Sequence, residues 1–229
     1  MVFDFVQAGN PSGIGWDVWY CNSHLQALRE RHHARVWRRY AVPARTAHLV
    51  VGELEGGPAS SDLSPERSPD PDWQVIRERF FGTPLGVSSR LDAGERALDA
   101  PVVYPAFLRA PKDRLDEVGR WYEEEHLPLL LDCPQWLMTR RFRIDTPIPG
   151  GYTHLALHYL SDLRALQSPQ RDAARNTPWR DSLIAEGWFA PEYRVCYRVH
   201  DPLVPQASQA PRTDPRSSNP ANRTTKPAP

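Results

Sequence analysis

The sequence predicts an α+β chain in which two tandem β-α-β-β-α-β modules close into one barrel. Three observations carry this reading. The chain has 229 residues, room for one large domain or two small ones. It also matches itself in order. At a shift of 102, Trp19-Tyr20 falls on Trp121-Tyr122, His24-Leu25 on His126-Leu127, Leu28 on Leu130, and Arg38-Arg39-Tyr40 on Arg140-Arg141-Phe142. At 106, His48-Leu49 falls on His154-Leu155 and Trp73 on Trp179; at 108, Phe80-Phe81 falls on Trp188-Phe189, with Val87 and Arg90 on Val195 and Arg198. Loop insertions and deletions make small steps of this kind, and amphipathic periodicity alone does not require Trp-Tyr-x-x-x-His twice. The third observation is that the helices of each module cover one face of its sheet. The other apolar face needs a partner, which the other half of the chain supplies.

The second half shows the elements most clearly. Residues 102–109 are an apolar run of strand length, and Pro111 opens the next segment as proline often opens a helix. Leu115, Val118, Tyr122, His126 and Leu129 recur at spacings of three and four, one helical face. Cys133-Pro134 ends that helix, because a residue before proline resists the α region. Residues 137–144 read as a strand, 149–151 as a turn and 152–160 as the next strand. A helical stretch over residues 162–187 breaks near Asn176-Thr177-Pro178, and 193–199 alternates as a final strand. Four antiparallel strands with two helices on one face is the ferredoxin-like, or split β-α-β, order. The first half repeats it, with residues 56–72, rich in Gly, Pro and Ser, interrupting it as a surface loop before the second helix. The expected units are an N-terminal degenerate module at 1–98, a C-terminal module at 99–203 and a disordered, dispensable tail at 204–229, where nothing is available to bury.

Composition removes several classes of function. The 28 basic and 28 acidic residues balance, which argues against a nucleic-acid or membrane-surface partner. The three cysteines, Cys21, Cys133 and Cys196, form no CxxC pair and fit a reduced, cytoplasmic setting. Residues 1–6 read as a strand rather than a signal peptide, and no apolar run approaches the roughly 20 residues of a membrane span. No phosphate loop, nucleophile elbow or dinucleotide fingerprint is present, and His32-His33 lacks the spacing of a metal site.

The run Trp121-Tyr122-Glu123-Glu124-Glu125-His126-Leu127-Pro128 resembles the EthD-like branch of the dimeric α+β barrel superfamily, whose members often carry an aromatic pair, a glutamate and His-x-Pro late in the first helix. Thr139-Arg140-Arg141-Phe142 and Tyr152-Thr153-His154-Leu155-Ala156-Leu157 look like its following strands, so the resemblance spans roughly residues 102–200. In the first half, Cys21-Asn22-Ser23-His24-Leu25-Gln26 keeps the histidine and loses the glutamates and the proline. The resemblance implies the fold firmly. Its chemistry is broad: polyketide cyclases, muconolactone isomerases, cofactor-free monooxygenases, lyases and dehydratases, and haem enzymes.

Residue by residue, His126 shares a helix face with Val118, Tyr122 and Leu129, and is either a general base in an apolar pocket or an anchor of the helix end. Tyr122, one turn earlier, is a hydrogen-bonding partner for it or for a ligand. His154 and His158 share a strand face with small Ala156, either beside a ligand or as satisfied polar residues. Tyr193 and Tyr197 position an oxygen or fill the barrel seam. One of Arg140 and Arg141 faces inward, to an oxyanion or to an ion pair between the halves. Glu123, Glu124 and Glu125 are mostly a solvated face, with Glu125 singled out by the resemblance.

The expected function is a cofactor-independent cyclase, isomerase or dehydratase acting by proton transfer on a small apolar oxygenated molecule. His126, Tyr122 and His158 are its catalytic set, and Glu125, Arg141, His154 and Tyr197 bind the substrate. The expected state is monomer or homodimer, without metal or cofactor. The alternatives are a non-catalytic binding or structural barrel, and a haem-dependent or cofactor-free oxidative enzyme.

Overall fold

The computed structural model describes residues 1–9, 15–42, 47–55 and 73–199. The loop expected at 56–72 and the tail expected at 204–229 lie outside these residues.

The first strand, β1 (Val2–Ala8), is followed by a helical segment of α1 (Gly15–Trp19), a π-helical turn over Tyr20–His24 and α2 (Leu25–Arg31). Strands β2 (Ala34–Val42), β3 (Ala47–Leu54) and β4 (Val75–Ser89) come next. The second run has β5 (Val102–Leu108), α3 (Leu115–Trp121), a π-helical turn over Tyr122–His126, α4 (Leu127–Leu131), β6 (Trp136–Ile144) and β7 (His154–Leu160). It ends with α5 (Pro169–Arg175), α6 (Pro178–Ala185), β8 (Glu192–Tyr193) and β9 (Cys196–Val199).

All the strand pairs are antiparallel, and they close a ring. The order is β7-β6-β4-β1-β3-β2-β9-β5, with β5 pairing back onto β7, so eight strands make a barrel and short β8 extends the last edge along β5. The first run reads β4-β1-β3-β2 and the second β9-β5-β7-β6, the same neighbours in each. The seams are β2 with β9 and β4 with β6. Strand β4 is long because it serves two partners: Val75–Phe81 pair with β1, and residues 82–89 pair with β6.

Alternation along each strand sorts side chains to the two faces. Phe3, Phe5, Leu49, Phe80, Phe107, Phe142, Leu155 and Tyr159 join one buried cluster inside the barrel. Phe3 contacts both Phe80 and Phe142 at ring-centroid distances of 5.0 Å. On the outer face, Val6, Ala8 and Val50 pack under Trp16, Trp19, Tyr20, Leu25 and Leu28. Val102, Tyr104 and Ala106 pack under Val118, Trp121, Leu127 and Leu130. Arg140 takes the inward position of its pair. It donates to Glu53 Oε1 at 3.0 Å, which also receives Arg38 at 2.8 Å, so this arginine forms the ion pair between the two runs.

The helix ends follow ordinary chemistry. Ser168 and Thr177 accept from the backbone N–H groups of Arg171 and Arg180 as N-caps, each followed by proline, which explains the interruption near 176–178. The turn at Gly150 and Gly151 has φ of +89° and +65°, a backbone that glycine adopts without strain.

Two expectations need correction. The second helix expected in the first half is absent among the described residues, because 75–89 form β4. Gly82, Pro84 and Gly86 disfavour a helix there, while Glu78 and Phe80 alternate with Arg77 and Arg79 as a strand. The shift of 108 also fails: Phe80 and Phe81 lie inside β4, whereas Trp188 and Phe189 precede β8. Trp73 sits just before β4 against Trp16, while Trp179 lies in α6, so that pair is not equivalent either.

The first helical segment is tied to its sheet by charge. Asp4 and His24 are buried, with His24 Nε2 2.6 Å from Asp4 Oδ2, and Arg79 Nε donates to Asp4 Oδ1 at 2.8 Å. Burial alone would raise the Asp4 carboxyl; the hydrogen bond from His24 and the charge of Arg79 outweigh it and hold it below the ordinary value of 3.8. The unfolded chain therefore takes up that proton first as pH falls. The stabilisation is complete above about pH 4 and lost as acid titrates the folded carboxyl. Replacing Asp4 by Asn is expected to cost about 3–5 kcal/mol at pH 7 in urea unfolding. The difference from wild type should shrink below pH 4; an equal difference at pH 7 and pH 3 would show that Asp4 is not charged in the folded protein.

Candidate small-molecule site

Between the helical segment at 115–123 and strands β6 and β7 lies a cavity of about 510 Å³. Leu115, Val118 and Ala156 form apolar walls, and Leu85 of β4 stands at its rim, 44% exposed. Tyr122, Arg141 and His154 bring polar groups to the same space, with Glu123 beside them.

The local sequence explains this convergence. Leu127 N–H bonds to the Tyr122 carbonyl across the π-helical turn, which adds one residue to the helical circuit there; such bulges recur at functional sites. Because Arg140 points inward, Arg141 points to the helix side. Its Nη1 donates to the Gly119 carbonyl at 3.3 Å and its Nη2 to the Glu123 carboxylate, while Nε is buried without a hydrogen-bond partner. The guanidinium lies 5.5 Å from the Tyr122 ring centroid. Gly86, opposite Arg141 in the β4–β6 ladder, leaves room for this: a Cβ there would lie 3.0 Å from Arg141 Nη2. Burial pushes the Tyr122 hydroxyl up and the His154 imidazole down, the latter helped by the charges of Arg141 and Arg143. The site therefore offers a neutral imidazole, a protonated phenol and a fixed cation. His154 Nδ1 is 2.9 Å from Thr153 Oγ1.

The other sequence-predicted residues lie elsewhere. His126 is buried against the Trp121 ring at 4.3 Å, and its Nδ1 donates to the Ala174 carbonyl at 3.0 Å. A carbonyl only accepts, so the proton is on Nδ1 and the lone pair on Nε2. Burial holds its pKa down to about 4, against the pull of that carbonyl. His158 Nδ1 is 2.8 Å from Thr139 Oγ1 and 3.3 Å from Trp136 Nε1, which can only donate, so its proton is on Nε2. Burial, then the neighbouring His126 and Arg171, puts its pKa well below 6.5. Glu125 accepts from Trp121 Nε1 at 3.1 Å and Thr177 Oγ1 at 2.6 Å, a tie between helices. Tyr197 lines a different cavity, of about 760 Å³, with Phe5, Glu78 and Arg194.

Two participants were passed over in the sequence. Glu123, read as part of a solvated face, is the carboxylate on Arg141. The match at a shift of 102 carried the signal, since Arg39 and Cys21 stand 102 residues before Arg141 and Glu123, and Arg39 Nη1 donates to Cys21 Sγ at 2.8 Å. Asp4 shares its strand face with Val2, Val6 and Ala8, and an acid on an apolar face marks a buried pair. Among the described residues no group of three or more His, Cys, Asp or Glu could hold a metal ion. None of their helices is long and apolar enough to cross a membrane.

No protein-family model and no curated protein matches the chain. Solved structures do. An anthrone oxidase-like protein is similar over 87% of this chain and 91% of its own, at 9% identity and a TM-score of 0.54. A major regulator of staphylococcal pathogenesis covers 87% and 100% at 9% identity and a TM-score of 0.47. A ferredoxin-fold protein from Listeria monocytogenes related to antibiotic biosynthesis monooxygenases covers 88% and 96% at 9% identity and 0.44. The first of these likenesses shows the fold, a ferredoxin-like α+β barrel.

The neutral state of His126 has a measurable consequence. Below pH 6.5 the unfolded chain binds a proton that the folded chain refuses until about pH 4. The stabilisation is complete above pH 6.5 and declines toward pH 4, by about 1.4 kcal/mol per pH unit. Urea titrations should show a shallower decline for His126→Asn than for wild type over pH 6.5–4.5; identical slopes would mean that His126 titrates normally.

Proposed function

We propose that the protein binds a small, largely apolar, oxygenated molecule in the cavity beneath α3 and promotes proton transfer on it. The observation that carries this is the convergence of Arg141, Tyr122 and His154 on a partly apolar space of about 510 Å³, within the usual size of small-molecule sites. In this reading His154 accepts a proton, Tyr122 donates one, and Arg141 faces negative charge developing on oxygen. Cyclisation, isomerisation and dehydration all use such a set. An oxidative reaction would begin with the same proton removal and is distinguished by oxygen consumption during turnover.

His126 fits the anchoring role better than the general base. A base whose conjugate acid has a pKa of about 4 takes protons poorly at neutral pH, and its Nδ1 is committed to α5. His158 is committed to Thr139 and Trp136 in the same way.

We also read the barrel as a tandem duplication, with modules at 1–98 and 99–203. Supporting this are the shared strand order and the two π-helical turns 102 residues apart, at Tyr20–His24 and Tyr122–His126.

Filling the cavity tests the ligand reading. Ligands retained by protein purified from its native host should be detectable by native mass spectrometry and lost from Leu115→Trp, with the melting temperature little changed. Retention of the same ligand by that variant would place the binding site elsewhere.

A further inference from the structure

We infer that the ligand of this cavity carries an anionic oxygen, a carboxylate or an ionised phenol or enol, and that Glu123 is a resident counter-ion which the ligand displaces from Arg141. The inference rests on the small-molecule reading above.

Arg141 is the fixed partner. Its side chain is 7% exposed, its position is held by the Gly119 carbonyl, and its Nε is buried without a hydrogen-bond partner. A guanidinium in that state needs a carboxylate or its equivalent, and the planar fork accepts one bidentately. Glu123 is the movable partner, with its side chain 60% exposed on the helix surface. Solvent can take that carboxylate back at little cost, because an exposed acid loses little when its ion pair opens. An incoming anion therefore exchanges one carboxylate for another on a cation that stays in place.

The surroundings favour an anion with an apolar body. Arg143 and Arg120 also line the cavity, against the acids Asp116 and Glu123. His154 is held neutral partly by Arg141 and Arg143, so the guanidinium charges already act across the space. The protonated Tyr122 hydroxyl adds a donor. The walls Leu115, Val118 and Ala156 offer contact to hydrocarbon.

The test uses matched carboxylate and carboxamide probes of increasing size, benzoate, 2-naphthoate and 9-anthroate with their amides, in isothermal titration calorimetry on the full chain. Wild type should bind at least one carboxylate more tightly than its amide. Glu123→Gln should strengthen carboxylate binding by about threefold to tenfold and leave amide binding unchanged. Arg141→Met should reduce the carboxylate to the affinity of the amide. Gly86→Ala, which presses a methyl group on the Arg141 fork without removing any charge, should weaken the carboxylate selectively even if Arg141→Met fails to fold. Carboxamides bound as tightly as carboxylates, with Glu123→Gln silent, would overturn the anionic ligand and leave the cavity reading standing. Binding of none of the six probes would overturn both.

Discussion

The structure depends on closing a sheet whose inner face is apolar. Each run of strands presents Phe, Leu and Val on one side, and the described helices pack on the other, except the short turn of Gly94–Asp99, whose Ala97 joins the interior. Pairing β4 with β6 and β2 with β9 turns the two faces toward each other, so that Phe3, Phe80, Phe107 and Phe142 share one interior. Closure also removes most free sheet edges, which would otherwise invite pairing with another chain. Strand β4 is the element that makes this possible, since one continuous strand bonds to β1 and then to β6. With the inner face largely committed to packing, the cavity beneath α3 lies on the outer side of the sheet, and a second lies beside Phe5, Glu78 and Arg194.

The two helix–sheet layers have the same framework and different contents. Under the first helical segment, Asp4, His24 and Arg79 form a buried charged group, and both ring nitrogens of His24 are engaged, with Asp4 at 2.6 Å and Arg77 at 3.2 Å. Under the second, Ala106 stands in the strand where a larger side chain could reach the helix, and His126 bonds to α5 instead. The polar groups there gather earlier along the helix, at Gly119–Glu123 around Arg141. A histidine found at the same π-helical turn in both runs is therefore better explained by holding the helix at its wide turn than by chemistry. Where Glu123 accepts from Arg141, the first run has Cys21 accepting from Arg39.

Much of the fold was legible because its signals are local. Pro111, Cys133-Pro134 and Asn176-Thr177-Pro178 mark helix limits that the structure reproduces, and residues 137–144 read as a strand and form one. The strand at 75–89 was misread because the expected repeat called for a helix, although Gly82, Pro84 and Gly86 argued against one. The site was legible only in part. Tyr122, Arg141 and His154 were named and do meet at one cavity, but His126 and His158, equally prominent in the sequence, are bonded away from it. A helical pattern gives the face of a residue without the extra residue of a π turn, and a shift of one position redirects a side chain by about 100°. Glu123 was hidden for the same reason, as one of three adjacent glutamates that periodicity alone assigns to solvent.

The most direct test of this account is a crystal structure of the protein carrying the small molecule it retains from its native host. The account predicts electron density for that molecule beneath α3, with an oxygen within hydrogen-bonding distance of the Arg141 guanidinium and Glu123 turned out to solvent. Density in the barrel mouth beside Glu78 and Arg194, with the Arg141–Glu123 pair intact, would contradict it.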